Sequence, residues 1–392
     1  MKLAVSLIQS RRTSQSGSSS TRNGPAALRV AAVTARCLLL SVLLASCAGN
    51  SPAASPAYAV TPPNNVDVTF ITDETDAALD IMRTHHSGLI PTEHQWSVLF
   101  HSQGYEHLKE REAAMGRAFT DSSFAAFLTA DTVAARLPEM ERVVPGLERT
   151  DVGSAARMAL AYLPPNTPIR ARLYLEIKPI TNSFVFQGRD SIPSIFLYVR
   201  PQETAAQLRN TLAHELHHIG TNAACRGFVY ADSLHASPSE LMLLDYLTAF
   251  GEGRAMLAAA GGPDVHPHEF DADSIRARWD RDVAHAPEDM KDLSGFISDV
   301  TAGRISTADS VKRRANSYFG VQGPWYTVGW LMASTVEREL GRDALIGTLC
   351  DPVAFLKQYN QVARRSNSTT HTSLPLWPSP VIASLSGLER SR

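Results

Sequence analysis

A short segment of the chain, His214-Glu215-Leu216-His217-His218, contains residue types that bind and use a metal ion. Four residues is just over one helical turn, so the imidazoles of His214 and His218 project together and can bind one ion. Glu215 points to another side, where its carboxylate can reach a water on the open side of the metal. Zinc lowers the pKa of such a water to about 7, and a carboxylate can then take its proton. The spacing predicts hydrolysis with Zn2+, with His214 and His218 as ligands and Glu215 as the general base.

The two histidines converge only if this segment is helical. Between Pro201 and Gly220, apolar residues recur along one stripe: Leu208, Leu212, Leu216 and Ile219. This pattern predicts a helix with Gly220 as its C-terminal cap. His217 also lies at chelating distance along the chain from His214, but in that pair Glu215 would lose its usual relation to the second ligand. We interpret His217 as a residue that supports the ligands or is exposed.

A catalytic zinc site needs a third protein ligand. The third histidine of the metzincin pattern is absent, because Ala224 stands six residues after His218. Four downstream residues remain as candidates: His235, Glu240, Asp245 and Glu252. By residue type and context, Glu240 fits a helix start, Asp245 a polar helix face and His235 a loop.

Glu252 opens the segment Glu252-Gly253-Arg254-Ala255. The histidine motif followed by Glu-Gly-x-Ala resembles gluzincin-type peptidases, in particular bacterial families described as putative zinc-dependent peptidases. The likeness extends to residues 104–112 and 323–333 and so covers most of residues 66–364. This resemblance implies that Glu252 is the third zinc ligand.

The pattern and the resemblance predict an α+β, mainly helical fold of the zincin-like type, with a small sheet and the motif on a helix. Helical spacing dominates residues 66–165, and the catalytic part follows over residues 166–364. Alternating residues over Ile169–Ile177 predict a strand, and β-rich runs at 184–186 and 195–199 predict a hairpin before the motif helix. A strand there can pair with an extended substrate, or it can be an ordinary edge strand.

Tyr326 follows Gly323-Pro324, which predicts the start of a helix that ends at Gly341. The resemblance places this segment near the active site, where a phenol can donate a hydrogen bond to a developing oxyanion. The alternative is that Tyr326 packs in the core, as aromatic residues near helix starts often do. Met256 stands where the thermolysin pattern has an aspartate that orients the first histidine, so another residue must take that role.

The N-terminus has the composition of an export signal. Residues 1–46 contain six basic residues and no acidic one, and an apolar run ends in Leu44-Ala45-Ser46-Cys47. That tetrapeptide resembles a bacterial lipobox, which implies cleavage before Cys47 and a lipid anchor on its thiol. Cleavage of an ordinary signal after Ala59 is the alternative. We expect an exported lipoprotein on the cell envelope, membrane-attached through a disordered tether over residues 47–65.

The rest of the composition limits the partners. Without residues 1–46 the chain keeps 31 basic against 39 acidic residues, so nucleic acid is not an expected partner. Cys225 and Cys350 remain, and an oxidising compartment would allow a disulfide, although two buried thiols fit as well. Residues 365–392 are predicted as a C-terminal tail.

Together these features predict a zinc-dependent peptidase that acts on a peptide or protein substrate. A zinc amidase or cell-wall hydrolase is the alternative enzyme, because the same water activation serves any carbonyl. A lipid-anchored binding protein with a non-catalytic zinc site is the alternative outside enzymes. Glu215 argues against that last hypothesis, since a structural site needs no base.

Overall fold

The computed structural model describes five stretches of the chain, residues 63–179, 183–186, 192–226, 236–369 and 373–390. The predicted export segment 1–46, Cys47 and His235 lie outside the described residues. The predictions made for them therefore stay predictions.

A small mixed sheet lies in the N-terminal half. Its four strands are β1 (Val66–Ile71), β2 (Ile169–Glu176), β3 (Phe184–Phe186) and β4 (Ser194–Tyr198). Their spatial order is β1-β2-β4-β3, in which β1, β2 and β4 run parallel and β3 runs antiparallel to β4. The predicted strand and hairpin are confirmed. The sequence analysis missed β1, although Val66, Val68 and Phe70 alternate with polar residues.

Seven helices connect β1 to β2. They are α1 (Asp73–His86), α2 (Glu93–Phe100), α3 (Gln103–Ala114), α4 (Asp121–Leu128), α5 (Asp131–Ala134), α6 (Leu137–Glu148) and α7 (Val152–Leu160). These helices confirm the helical spacing of this part of the sequence. Their apolar faces and the sheet enclose one hydrophobic core, which includes Ile81, Leu173 and Leu212. The burial follows from the three- and four-residue apolar spacing.

The histidine motif lies on a long helix, α8 (Ala205–Ala224). A capping box starts it: the Thr204 hydroxyl accepts from the Gln207 backbone N–H, and the Gln207 side chain accepts from the Thr204 N–H. Such a cap stabilises a helix by about 1 kcal/mol. The predicted cap at Gly220 is wrong, because the helix continues to Ala224. Gly220 instead allows close packing, since a Cβ there would lie 2.1 Å from Leu163 Cδ1.

The C-terminal half is entirely helical within the described residues. Its elements are α9 (Pro238–Leu247), a 3-10 turn (Thr248–Phe250), α10 (Gly251–Ala260), α11 (Asp273–Ala284), α12 (Ala286–Thr301), α13 (Ala308–Ser317), α14 (Pro324–Leu340), α15 (Arg342–Ile346), α16 (Pro352–Thr369) and α17 (Ser379–Arg390). They enclose a second core around Trp325, Tyr359 and Trp377. The predicted helix start before Glu240 and the predicted end at Gly341 are confirmed. In the part of the chain that the structure describes, no helix is both long and apolar enough to cross a bilayer.

The segment predicted as a C-terminal tail packs against this second core. Trp377, Val381 and Leu385 are buried. The Asn360 side chain donates to the Trp377 carbonyl and accepts from its N–H, both at 2.9 Å. The apolar residues of this segment are thus part of the fold.

A disulfide joins Cys225, which caps the C-terminal end of α8, to Cys350. The two cysteines are 125 residues apart in sequence. Closing so long a loop in the unfolded chain stabilises the folded state by an amount on the order of 2–5 kcal/mol. The bridge fixes the end of the motif helix to the segment after α15.

Candidate metal centre

His214 and His218 face each other on one side of α8, as their spacing predicts. Their Nε2 atoms lie 3.1 Å apart. His214 is buried, whereas 20% of the His218 side chain is exposed. Of the two imidazoles, His218 is therefore the one that solvent reaches more easily.

Glu252, the second residue of α10, completes the cluster from the opposite side. Its Oε2 lies 3.2 Å from Nε2 of both His214 and His218. Ligands placed tetrahedrally at about 2.0–2.1 Å from zinc are roughly 3.3 Å from one another. The three separations match one face of such a tetrahedron, so the residues fit a zinc ion with a fourth position left open. Among the described residues they are the group of histidine, cysteine and acidic side chains that can hold a metal.

The charges of Glu252 and His214 suit metal binding. Burial by itself raises the pKa of Glu252, but the charge of His218 and the hydrogen bonds of both histidines hold it at about 2. Burial lowers the pKa of His214. Glu252 is thus an ionised carboxylate and His214 a neutral imidazole near pH 7, which are the forms that bind metals.

Arg254 holds α10 in place two residues after the glutamate. Its buried guanidinium stacks on the Phe355 ring at 3.8 Å from the centroid. It donates to the carbonyl of Leu345 at 3.2 Å and to that of Thr348 at 3.1 Å. Because these partners belong to the segment just before Cys350, α10 is fixed to the same segment as the end of α8.

Glu215 is fully buried beside the ligand pair. Burial lowers the pKa of His218, but the charge and hydrogen bond of Glu252 raise it above its ordinary value, and the charge of Glu215 adds a smaller effect in the same direction, which requires that the Glu215 carboxylate lie close to that imidazole. One residue corresponds to a rotation of about 100° around a helix, so Glu215 approaches the cluster from another side than His214. This is the relation that the motif predicts for a base.

Tyr326 lies in the first turn of α14, behind Pro324, and is fully buried. Its ring is nearly parallel to that of His214, with an interplanar angle of 11° and 6.4 Å between centroids. The structure therefore brings Tyr326 to the ligand cluster. This placement suits a hydrogen-bond donor at the site, and it also packs the ring against the first ligand.

The other candidates lie elsewhere. The Glu240 carboxylate accepts from the Ser237 backbone N–H at 2.7 Å in a capping box, so it serves the start of α9. Asp245 is not part of the ligand cluster. His217 is buried, which rules out the exposed alternative, and it is not one of the three converging residues.

The aspartate that orients the first histidine in the thermolysin pattern is absent from this chain. Met256 occupies that position and is buried. The Nδ1 atom of His214 is also buried and has no hydrogen-bond partner among the described residues. The His214 ring instead contacts Glu252 through its Nε2 atom and lies nearly parallel to the ring of Tyr326.

Sequence analysis overlooked a histidine and an aspartate that contact the motif helix. His268 Nδ1 lies 2.7 Å from Asp271 Oδ2, and Asp271 Oδ1 accepts from the Gln207 side chain on α8 at 2.9 Å. The sequence does place two histidines and two acidic residues within six positions, His266-Pro267-His268-Glu269-Phe270-Asp271, which is a pattern typical of functional sites. Its connection to α8 depends on tertiary packing, which the run itself does not indicate.

Family membership follows from a comparison with known proteins. Residues 80–368 match the family described as "Putative zinc dependent peptidase (DUF5700)". No curated protein and no solved structure matches the chain. The matched region contains α8, Glu252 and Tyr326, and it spans well over half of the sequence. The chain therefore belongs to the family that carries this description.

Proposed function

We propose that the protein is a zinc-dependent peptidase in which His214, His218 and Glu252 hold the metal. One observation carries the proposal: the Glu252 Oε2 lies 3.2 Å from both imidazole Nε2 atoms, at separations that suit a tetrahedral ion. When bound, zinc supplies a polarising charge and a water of lowered pKa. A site with three protein ligands leaves room for that water, as catalytic zinc sites do.

Two further residues have roles in this proposal. Glu215 takes a proton from the attacking water and passes it on toward the leaving amine. Tyr326 donates a hydrogen bond to the oxygen on which negative charge develops. Burial of both side chains beside the ligands supports these roles, because electrostatic interactions are stronger where water is excluded.

A peptide or protein is the substrate class that the family description and a strand next to α8 favour. β3 is one of the two edge strands of the sheet and packs against α8. An edge strand can add an extended peptide through main-chain hydrogen bonds, whatever the side chains of that peptide. This arrangement would place a peptide backbone along the motif helix.

A mixture of peptides of random sequence, incubated with the zinc-loaded protein, tests the proposed function. We expect cleavage that stops when a chelator removes the metal and returns when zinc is restored. Cleavage of acylated amino sugars or cell-wall fragments, with the peptides left intact, would instead identify a zinc amidase or cell-wall hydrolase. One tightly bound zinc with no hydrolysis of either substrate would favour a binding protein.

We also propose that the protein is exported and attached to the membrane through lipid on Cys47. The Cys225–Cys350 disulfide supports export, because disulfides persist in oxidising compartments. Cys47→Ala should abolish labelling by a fatty-acid precursor and release the protein from the membrane fraction. If the variant stays in the membrane, the lipid-anchor proposal is wrong.

A further inference from the structure

The three metal ligands come from helices that pack in different hydrophobic cores. His214 and His218 lie on α8, which buries Leu212 in the core beside the sheet. Glu252 lies on α10, whose residues 256–258 are buried in the second core. The metal centre thus lies where the two cores meet, and its geometry depends on how firmly they are held together.

The Cys225–Cys350 disulfide joins the same two parts of the protein. Cys225 caps the C-terminal end of α8, seven residues after His218, which corresponds to two helical turns or about 10 Å. Cys350 follows α15, which buries Leu345 in the second core. The bridge is therefore a covalent link between the helix that carries the histidines and the core to which α10 contributes.

Arg254 connects the segment before Cys350 to the third ligand. It lies two residues after Glu252 on α10 and is only 5% exposed. Its guanidinium donates to the Leu345 carbonyl at 3.2 Å, to the Thr348 carbonyl at 3.1 Å and to the Thr348 hydroxyl at 2.9 Å. A buried cation that loses such partners is strongly destabilising. The guanidinium therefore keeps α10 and this segment together.

These connections close a ring that includes the metal centre. From the two histidines the ring follows α8 to Cys225 and crosses the disulfide to Cys350. It then returns through Arg254 and α10 to Glu252, which contacts both imidazoles. Zinc binding requires ligand distances within about 0.2 Å of their preferred values. Opening the ring at the disulfide leaves α10 less firmly fixed to α8, so the third ligand is held less accurately.

We propose that the oxidation state of Cys225 and Cys350 controls the affinity of the metal centre for zinc. The disulfide, together with Arg254 as a positioning residue, holds Glu252 at the separation from the imidazoles that the ion requires. The dithiol form binds zinc more weakly. This inference rests on the proposed metal centre and not on the substrate that the protein acts on.

The chemical step is thiol–disulfide exchange. A small-molecule or protein disulfide accepts two electrons and two protons from the thiols of Cys225 and Cys350 and leaves as two thiols, while the S–S bond of the protein forms. Disulfides form and persist in oxidising compartments. An exported chain thus acquires its full zinc affinity after it has left the reducing cytoplasm.

Zinc titration of the oxidised parent and of the double variant Cys225→Ser/Cys350→Ser tests the proposal. The serines remove the bridge without offering thiolates to the metal. We expect the zinc dissociation constant to rise about ten- to a hundredfold, as for the loss of groups that support metal ligands. Asn360→Ala is the control, because it loses two hydrogen bonds to Trp377 outside the ring. It should unfold at a lower temperature but bind zinc within about threefold of the parent.

A second measurement uses the parent chain and does not require the double variant to fold. Because coupling between two sites is reciprocal, zinc must stabilise the disulfide by the factor that the disulfide adds to zinc affinity. Alkylation of free thiols in glutathione buffers, with and without saturating zinc, gives the reduction potential of the bridge. Zinc should lower this potential by about 30 mV for each tenfold gain in affinity. A potential that zinc leaves unchanged or raises would overturn the proposal.

Arg254→Gln tests the route of the coupling, since the shorter neutral side chain cannot keep the contacts to Leu345 and Thr348. Zinc affinity should fall by a factor similar to that of the double serine variant, and Arg254→Lys, which keeps the charge, should recover part of it. The bridge and Arg254 act in series, so removing both should weaken binding by no more than about threefold beyond either change alone. Effects that multiply would contradict the ring.

The outcomes separate this inference from the proposed function. If the folded double serine variant binds zinc within about threefold of the parent, the disulfide is only structural and the inference is wrong. If zinc affinity follows the disulfide as expected but no peptide is cleaved, the peptidase function fails while the inference stands. If the oxidised parent binds no zinc, the metal centre and the inference are both overturned.

Discussion

Gly253 of α10 and Gly329 of α14 meet backbone to backbone. A Cβ on Gly253 would lie 2.0 Å from the Trp330 backbone nitrogen, and one on Gly329 would lie 2.7 Å from the Phe250 carbonyl oxygen. No side chain fits in this contact, so the two helices approach as closely as their backbones allow. Since Gly253 adjoins Glu252, this contact sets the distance between the third ligand and α14.

We expect Gly253→Ala to push α10 away from α14 and so displace Glu252. The free energy of unfolding should fall by about 1–3 kcal/mol, the usual cost of overpacking, or by more, because the clash involves backbone atoms that cannot easily move. Zinc affinity should fall with it. Gly251→Ala is the control in the same helix, because a Cβ there meets nothing within 4 Å. Thermal unfolding and zinc titration of both variants check this, and equal behaviour of the two would contradict it.

Glu252→Ala should lower zinc affinity at least about a hundredfold, more than the loss of a residue that only supports a ligand. Glu240→Ala and Asp245→Ala should retain one zinc per chain. Glu240→Ala should still cost about 1 kcal/mol of stability, because it breaks the capping box of α9. Metal analysis after dialysis measures all three variants. An empty site in either control variant would overturn the ligand assignment.

Tyr326→Phe should keep zinc, fold and KM but lower kcat roughly a hundredfold, as expected for one lost oxyanion donor. The phenyl ring preserves the stacking on His214, so the substitution removes the hydroxyl alone. Tyr246→Phe removes a hydroxyl that donates to Asn316 away from the ligand cluster, and its rate should stay near that of the parent. A Tyr326→Phe rate within about threefold of the parent would make Tyr326 a packing residue only.

A buried group of charges at the end of β2 makes stability depend on pH. It comprises Glu74 from α1, Arg111 and Glu112 from α3, and Glu176 and Lys178 from β2 and the residues after it. Burial raises the pKa of Glu74 from 4.5 to about 8. The folded state then holds a proton that the unfolded state releases, so this contribution to stability is present below pH 4.5 and is lost as the pH rises through 8.

Glu74→Gln removes that titration while keeping an acceptor for the Ile177 backbone N–H, which Glu74 binds at 3.0 Å. The melting temperature of the variant relative to the parent should therefore increase between about pH 5 and about pH 9. Glu139→Gln serves as the control, because Glu139 is exposed on α6 outside this buried group, and it should show no comparable increase. Thermal unfolding at several pH values measures both. A Glu74→Gln difference that is constant or decreases over this range would contradict the assignment.

The sequence predicted those parts of the site that depend on local spacing. His214, Glu215 and His218 follow from the helical repeat, and the convergence of the two histidines needs no knowledge of the remaining fold. Glu252 required the resemblance to a family, because nothing in the residues between shows that α10 returns to α8. The Cys225–Cys350 pairing could not be decided either, since it depends on a Cα separation of 5.3 Å that only the fold sets.

The features that the sequence analysis missed or predicted wrongly all depend on tertiary packing. Gly220 has the type of a helix cap, but contact with Leu163 places it inside α8. β1 is short and only half-buried. About a hundred residues, most of them helical, separate it in sequence from β2, the strand with which it pairs. The His268–Asp271 pair becomes visible only when Gln207, far away in sequence, is found to donate to it.

Glu215→Gln is the measurement that tests the central claim most directly. The amide has the size of the carboxylate but cannot take a proton, and it leaves His214, His218 and Glu252 unchanged. We predict one zinc per chain in the purified variant, together with peptide cleavage reduced by about two to four orders of magnitude, the usual contribution of a general base. Zinc analysis and a cleavage assay on the same preparation would show both. A variant that retains zinc and cleaves peptides at the parent rate would contradict the account.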